Sequence, residues 1–133
     1  MQSKHNEAVS GFVKTLASVT ESSLIESVSE PYDMQKDWPD PWPNNLLAGV
    51  YLLFSDSYEL LYVGKGSLIG RRLMAHFQYS ADRKSGVAVS TEASGTRYIV
   101  TVGLHQEFSW LAPSLEEYLI ANLKPKRNKI GNF

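Results

Sequence analysis

Apolar residues recur at helical spacing between Asn6 and about Val19, with Phe12, Leu16 and Val19 in one row and Val9 and Val13 beside it. This pattern predicts a helix. Leu24, Ile25 and Val28 predict that Ser22 to Ser29 extends it or forms a second short helix, broken before Pro31. Residues 37–45, DWPDPWPNN, hold three prolines and two tryptophans. Proline fixes φ and removes a donor, so this stretch is an extended connector. Trp38 and Trp42 are expected to pin it to the body of the domain, with base stacking as the alternative.

From Leu46 the period changes. Leu46 to Phe54 reads as a strand, Ser55-Asp56-Ser57 as a turn and Glu59 to Val63 as the returning strand of an antiparallel hairpin. Gly64 and Gly66 bracket Lys65 and form a sharp corner. Ser67 is a candidate cap for a helix to about Tyr79 with Ile69, Leu73 and Phe77 as its buried row. At about 100° per residue, His76 and Arg72 lie on one side of Leu73 and Arg71 faces solvent. Arg72 and His76 stack as an i, i+4 pair. Residues 80–94 read as a polar loop, in which Arg83 and Lys84 are expected to be solvated. Thr96 to Leu104, with Tyr98, Val100 and Val102 alternating, predicts a third strand, and His105 at its end receives no role. A last helix begins near Trp110 to Pro113 and ends by Lys124, with Leu115, Leu119, Asn122 and Leu123 inward and Tyr118 near the edge. On it Glu116 borders the core face and Glu117 faces water. The fold class is therefore α/β (α+β): a small, mainly antiparallel three-stranded sheet flanked by helices. Its core order is β-β-α-β-α at 46–133, preceded by a helical arm and connector at 1–45.

Composition narrows this picture. The chain has 133 residues, 43% of them hydrophobic, enough for one sizeable core. It has no cysteine, which excludes disulfides, thiol nucleophiles and Cys-rich zinc sites. The polar N-terminus lacks the apolar core of a signal peptide, and Leu46 to Phe54 is too short to span a bilayer. A soluble, cytoplasmic protein with no membrane association is expected. Net charge is −1 but unevenly spread. Residues 1–45 carry three lysines against seven acids, and 46–133 carry ten basic residues against seven acids. The last ten residues, KPKRNKIGNF, hold four basic groups and no acid. A polyanion partner for the back part is permitted, as is ordinary surface charge.

The candidate chemistry lies in Gly49 to Phe77. Tyr51, Tyr62, Arg72 and His76 can converge on one surface, a phosphate-cleaving arrangement if a carboxylate arrives to hold a metal, and Glu116 is the candidate. GKGSLIG does not have P-loop spacing. These residues resemble the GIY-YIG nuclease family. Its two name motifs appear as Gly49-Val50-Tyr51 and Tyr62-Val63-Gly64, with valine for isoleucine. Lys65 follows, then helical Arg72 and His76, then Leu115-Glu116 with Leu119-Ile120, then Pro125 and Asn128 in a P-x-x-N ending. The spacing looks like that of the excinuclease C N-terminal catalytic domain and covers about residues 46–130.

The resemblance implies an endonuclease that hydrolyses phosphodiester bonds with one divalent metal, Mg²⁺ or Mn²⁺, on nucleic acid, DNA being the expected substrate. Glu116 would be the metal ligand, since such ions often take only one or two carboxylates. Arg72 would bind a phosphate oxygen as a fixed, always-charged fork. Lys65 would add charge or lower a neighbouring tyrosine's pKa. Tyr51, Tyr62 and His76 are rival general bases: a free tyrosine is a poor base at neutral pH unless a nearby cation favours the phenolate. Asn128 would tie the tail to the site or touch substrate. The alternative is a non-catalytic nucleic-acid- or protein-binding module on the same fold. The N-terminal arm is left as an accessory helix packed on the domain, or as an element for self-association or a protein partner.

Overall fold

The computed structural model describes residues 2–16 and 20–128. Strand β3 (Gly49–Phe54) is buried along its whole length. Alternation explains how both of its faces are covered: Val50, Leu52 and Phe54 enter one apolar layer, Tyr51 and Leu53 the other. Strands β4 (Leu60–Gly66) and β7 (Tyr98–Leu104) flank it, each antiparallel, so β7 is not the neighbour of β4.

The far edge of β7 is closed by two segments that the sequence pattern did not predict as strands. Helix α2 covers only Glu21–Leu24, after which Ile25–Val28 (β1) and Tyr32–Asp33 (β2) both pair with β7. Half of the expected helix over 22–29 is thus a strand, and the sheet has five strands rather than three. The physical reason is the open edge of β7. Its unpaired backbone groups take up Ile25 and Val28, whose branched side chains suit a strand.

One layer over the sheet consists of α1 (Gln2–Lys14) and α4 (Ala112–Leu123). Val9, Phe12 and Val13 pack with Leu115, Leu119 and Ile120 over Val50, Leu52, Val100 and Val102. The Phe12 and Tyr118 rings meet edge to face at 5.5 Å. Residues before 46 therefore share the core of those after it. Val19, expected near the end of the first helix, lies outside the described residues. On α4 Asn122 is exposed, not inward, and donates to the Tyr118 carbonyl; Ile120 is buried instead. Glu117 is exposed and Glu116 partly buried, as their helical angles predict.

The other layer holds α3 (Ile69–Met74), Phe77 and the connector. Trp42 packs on Phe77 and Trp38 on Tyr79, so both tryptophans pin the connector to the domain. Helix α3 is shorter than expected. Ser67 does not cap it, Leu68 occupies the cap position, and β5 (Phe77–Tyr79) leaves to pair with β6 (Gly86–Ala88). The polar residues between them close this hairpin: Ser80 donates through its amide to the Ser85 carbonyl, and Asp82 accepts from Ser80 and the Lys84 amide. Among the described residues no helix is long and apolar enough to cross a membrane.

Candidate active site

Tyr51 sits opposite Gly64 in the β3–β4 register. A Cβ on Gly64 would lie 2.2 Å from the Tyr51 hydroxyl oxygen. The missing side chain is what lets the phenol cross β4, which is the physical content of pairing a tyrosine in the first motif with a glycine in the second. Tyr51, itself fully buried, forms part of the floor of a cleft of about 520 Å³ shared with Tyr62, Lys65, Gly66, Ser67, Arg72, Trp110, Pro113 and Glu116. Four elements supply this wall: β3, β4, α3 and the start of α4 with the 3₁₀ turn before it (Gln106–Leu111). Of the expected site residues, Tyr51, Tyr62, Lys65, Arg72 and Glu116 are brought together here.

His76 is placed differently. It is only 5% exposed and stands behind Tyr51, with its Nε2 2.7 Å from the Tyr51 hydroxyl. Its Nδ1 lies 2.6 Å from Ser90 Oγ. Ser90 Oγ already accepts from the Ala93 amide. We assign Nδ1–H as the donor to Ser90 and Nε2 as the acceptor for Tyr51 O–H. Burial and the neighbouring Arg72 charge hold the His76 pKa below its ordinary value of 6.5, with Glu92 opposing them. The imidazole is therefore mainly neutral at pH 7, and its link to the cleft is the hydrogen bond with Tyr51.

Both phenols are shifted upward. Burial raises Tyr51 most, with Tyr62 adding to it and Arg72 pulling the other way. Burial and then the Glu116 and Glu92 charges raise Tyr62. Arg72 favours the phenolate at both residues, as expected of a nearby cation, but burial outweighs it. Nor does Lys65 turn to a tyrosine. Its Nζ lies 3.6 Å from Glu116 Oε1, on a side chain 46% exposed against 18% for the glutamate. Burial raises the Glu116 pKa, and Lys65 partly offsets this.

Asn128 does not line the cleft. Its amide oxygen accepts from the Val63 N–H at 2.8 Å and its NH₂ donates to the Val63 carbonyl at 2.9 Å. The amides of Lys126 and Arg127 also bond the carbonyls of Leu60 and Leu61. The tail thus closes the open edge of β4 and fixes the backbone between Tyr62 and Gly64. That is the expected tie between tail and site, and it gives Asn128 a positioning role.

Among the described residues Glu116 is the one carboxylate lining the cleft that could hold a cation. It offers one partly buried carboxylate on an open cleft, and among the described residues no group of three His, Cys, Asp or Glu could cage an ion. Such a donor set suits Mg²⁺ or Mn²⁺, which keep several waters and use substrate phosphate as a ligand. Ser90 and Trp110 complete the surroundings and escaped the sequence reading. Ser90 lies in a polar stretch without periodicity, and Trp110 read as the start of a helix.

An antiparallel sheet with a tyrosine–glycine crossing, an arginine on the following helix and a glutamate on a later one defines a GIY-YIG-type domain. The comparison with known families agrees: residues 47–129 match the UvrC-like GIY-YIG domain, and the chain belongs to that family. It is 35% identical over 88 residues to the UvrABC system protein C of Wolinella succinogenes, covering 61% of this chain and 14% of that protein. It is 36% identical over 85 residues to the UvrABC system protein C of Pseudothermotoga lettingae, covering 62% of this chain and 14% of that protein. The matched region thus spans about a seventh of each relative. No solved structure matches significantly.

Proposed function

We propose that this protein is a divalent-metal-dependent endonuclease that hydrolyses phosphodiester bonds in DNA. The observation that carries the reading is the convergence of Tyr51, Tyr62, Lys65, Arg72 and Glu116 on one cleft. Arg72 and Lys65 bind non-bridging phosphate oxygens and offset their charge. Tyr51 takes a proton from the attacking water as its own proton passes to His76 Nε2, so no free phenolate is needed and the raised phenol pKa is no obstacle. Ser90 accepts from Nδ1–H and stabilises the imidazolium that forms. The hydroxide attacks phosphorus and the bond to the leaving oxygen breaks. Tyr62, beside Tyr51 with ring centroids 6.3 Å apart, orients the water or the phosphate. Mg²⁺ or Mn²⁺ held by Glu116 would supply charge neutralisation on the phosphate and on the leaving oxygen.

The test is cleavage of supercoiled, duplex, branched and single-stranded DNA with Mg²⁺ or Mn²⁺, and EDTA as control. Glu116→Gln and Arg72→Ala should each lower the rate roughly 10²–10³-fold, the effect of removing one charge-stabilising group. Wild-type rates in Glu116→Gln would remove the metal assignment. Salt-sensitive binding without cleavage would instead establish a nucleic-acid-binding module on this fold.

A further inference from the structure

Trp110 is the large apolar side chain of the described residues that stands both in the cleft and in solvent. It is 68% exposed. Other exposed apolar residues, Leu46, Met74 and Tyr79, border a separate groove beside Trp38 and Trp42. Isolated exposed apolar residues are ordinary on protein surfaces. This one differs in its neighbours, since it shares the cleft with Arg72, Lys65 and Glu116.

The local fold explains why the indole points outward. Residues three apart superpose in a 3₁₀ turn. Phe108 and Leu111 pack inward against the core, which leaves Glu107 and Trp110 together on the outer side. Trp110 Nε1–H donates to the Glu107 carbonyl at 3.0 Å. The polar edge of the ring is thereby satisfied by its own turn, while about two thirds of the residue, 68%, stays exposed. An exposed indole in the same cleft as an arginine and a lysine matches what a nucleotide offers, a flat base next to a charged phosphate.

We infer that Trp110 is a stacking platform for a nucleobase adjacent to the bound phosphate, so that this site takes a strand with a base out of the stack rather than an unbroken duplex. The inference deepens the nucleic-acid reading above and rests on it. Inside a duplex both faces of a base are covered by its neighbours. Only a base in a single strand, a flap, a bulge or an extruded nucleotide has a face to offer.

The experiment uses the full chain carrying Glu116→Gln, which holds substrate uncleaved. The probe is a fluorescein-labelled mixed-sequence DNA oligonucleotide, single-stranded or annealed to its complement, with binding followed by anisotropy. Adding Trp110→Ala should weaken single-strand binding about 5- to 150-fold and leave duplex binding nearly unchanged. Trp110→Phe should restore most of the loss. An abasic nucleotide stepped along the strand should weaken binding at one position, and should do so only when Trp110 is present. An unchanged melting temperature in Trp110→Ala confirms that the fold is intact. Equal single-strand affinity with and without Trp110, or equal sensitivity to the abasic nucleotide, overturns this inference while leaving the nuclease reading standing if the otherwise wild-type enzyme still cleaves. Neither binding nor cleavage of any DNA overturns both.

Discussion

At the scale of single residues, the site turns on a chain of hydrogen bonds from Tyr51 through His76 to Ser90. Ser90→Ala removes the acceptor for Nδ1–H. The imidazolium needs that acceptor more than the neutral ring does, so its loss lowers the His76 pKa further. In the proposed mechanism neutral His76 is the active form, and its pKa is lowered from 6.5. The acid limb of cleavage should therefore fall below pH 6.5, and Ser90→Ala should move it to still lower pH while reducing the plateau rate about tenfold. A pH–rate profile of kcat for both proteins checks this, and an unshifted limb would remove Ser90 from the relay. Tyr51, Tyr62, Lys65, Arg72 and Glu116 were legible because each has a motif position and a periodic element to carry it. The placement of His76 behind Tyr51 was not, because helical spacing put it beside Arg72 on a helix that ends at Met74. Ser90 was invisible for a different reason: its role is fixed by a contact fourteen residues away in sequence.

At the scale of elements, long periodic segments were readable and short ones were not. The strands β3, β4 and β7 and the helices α1 and α4 each bury a row of side chains that the sequence displays. The segments β1, β2 and β5 have no such row, and their conformation is decided by the strand edges they meet. The connector was legible as extended because proline dictates φ locally. The standing of α1 was left open by the sequence between accessory helix and interaction arm. In the fold Phe12 is buried against α4 and the sheet. Phe12→Ala should therefore cost about 3–5 kcal/mol of global stability, the range for deleting a core phenylalanine. Chemical unfolding should show one transition with a lower midpoint. An unchanged midpoint would mean that α1 is an appendage rather than part of the core, and would restore the arm as an independent element.

At the scale of the whole molecule, two buried histidines on opposite faces of the sheet set its response to acid. His5 projects from α1 onto the Phe54 ring, 4% exposed, and its Nδ1 has no hydrogen-bond partner among the described residues. His76 follows the end of α3 and is buried against Tyr51 and Phe77. Burial lowers the pKa of both from 6.5. The unfolded chain then binds protons more readily than the native state once the pH falls through 6.5. Stability is fully present above that value and declines below it, down to the folded pKa values. Asp33 adds a second, lower window. Its bond to Arg97 is the main cause that holds its pKa below 3.8, so its contribution is retained above 3.8 and lost as the pH falls further. The loss in the upper window can be no steeper than about 1.4 kcal/mol per histidine per pH unit. Urea unfolding from about pH 7.5 down to about pH 5.5 should show a falling midpoint. His5→Asn should flatten that slope without changing the acid limb of cleavage, because His5 is far from the cleft and His76 is untouched. A midpoint independent of pH across this interval would mean that the histidines titrate alike in both states. The coupling of acid sensitivity to the packed layers would then fail, and with it the separation between a histidine that stabilises the fold and one that serves the cleft.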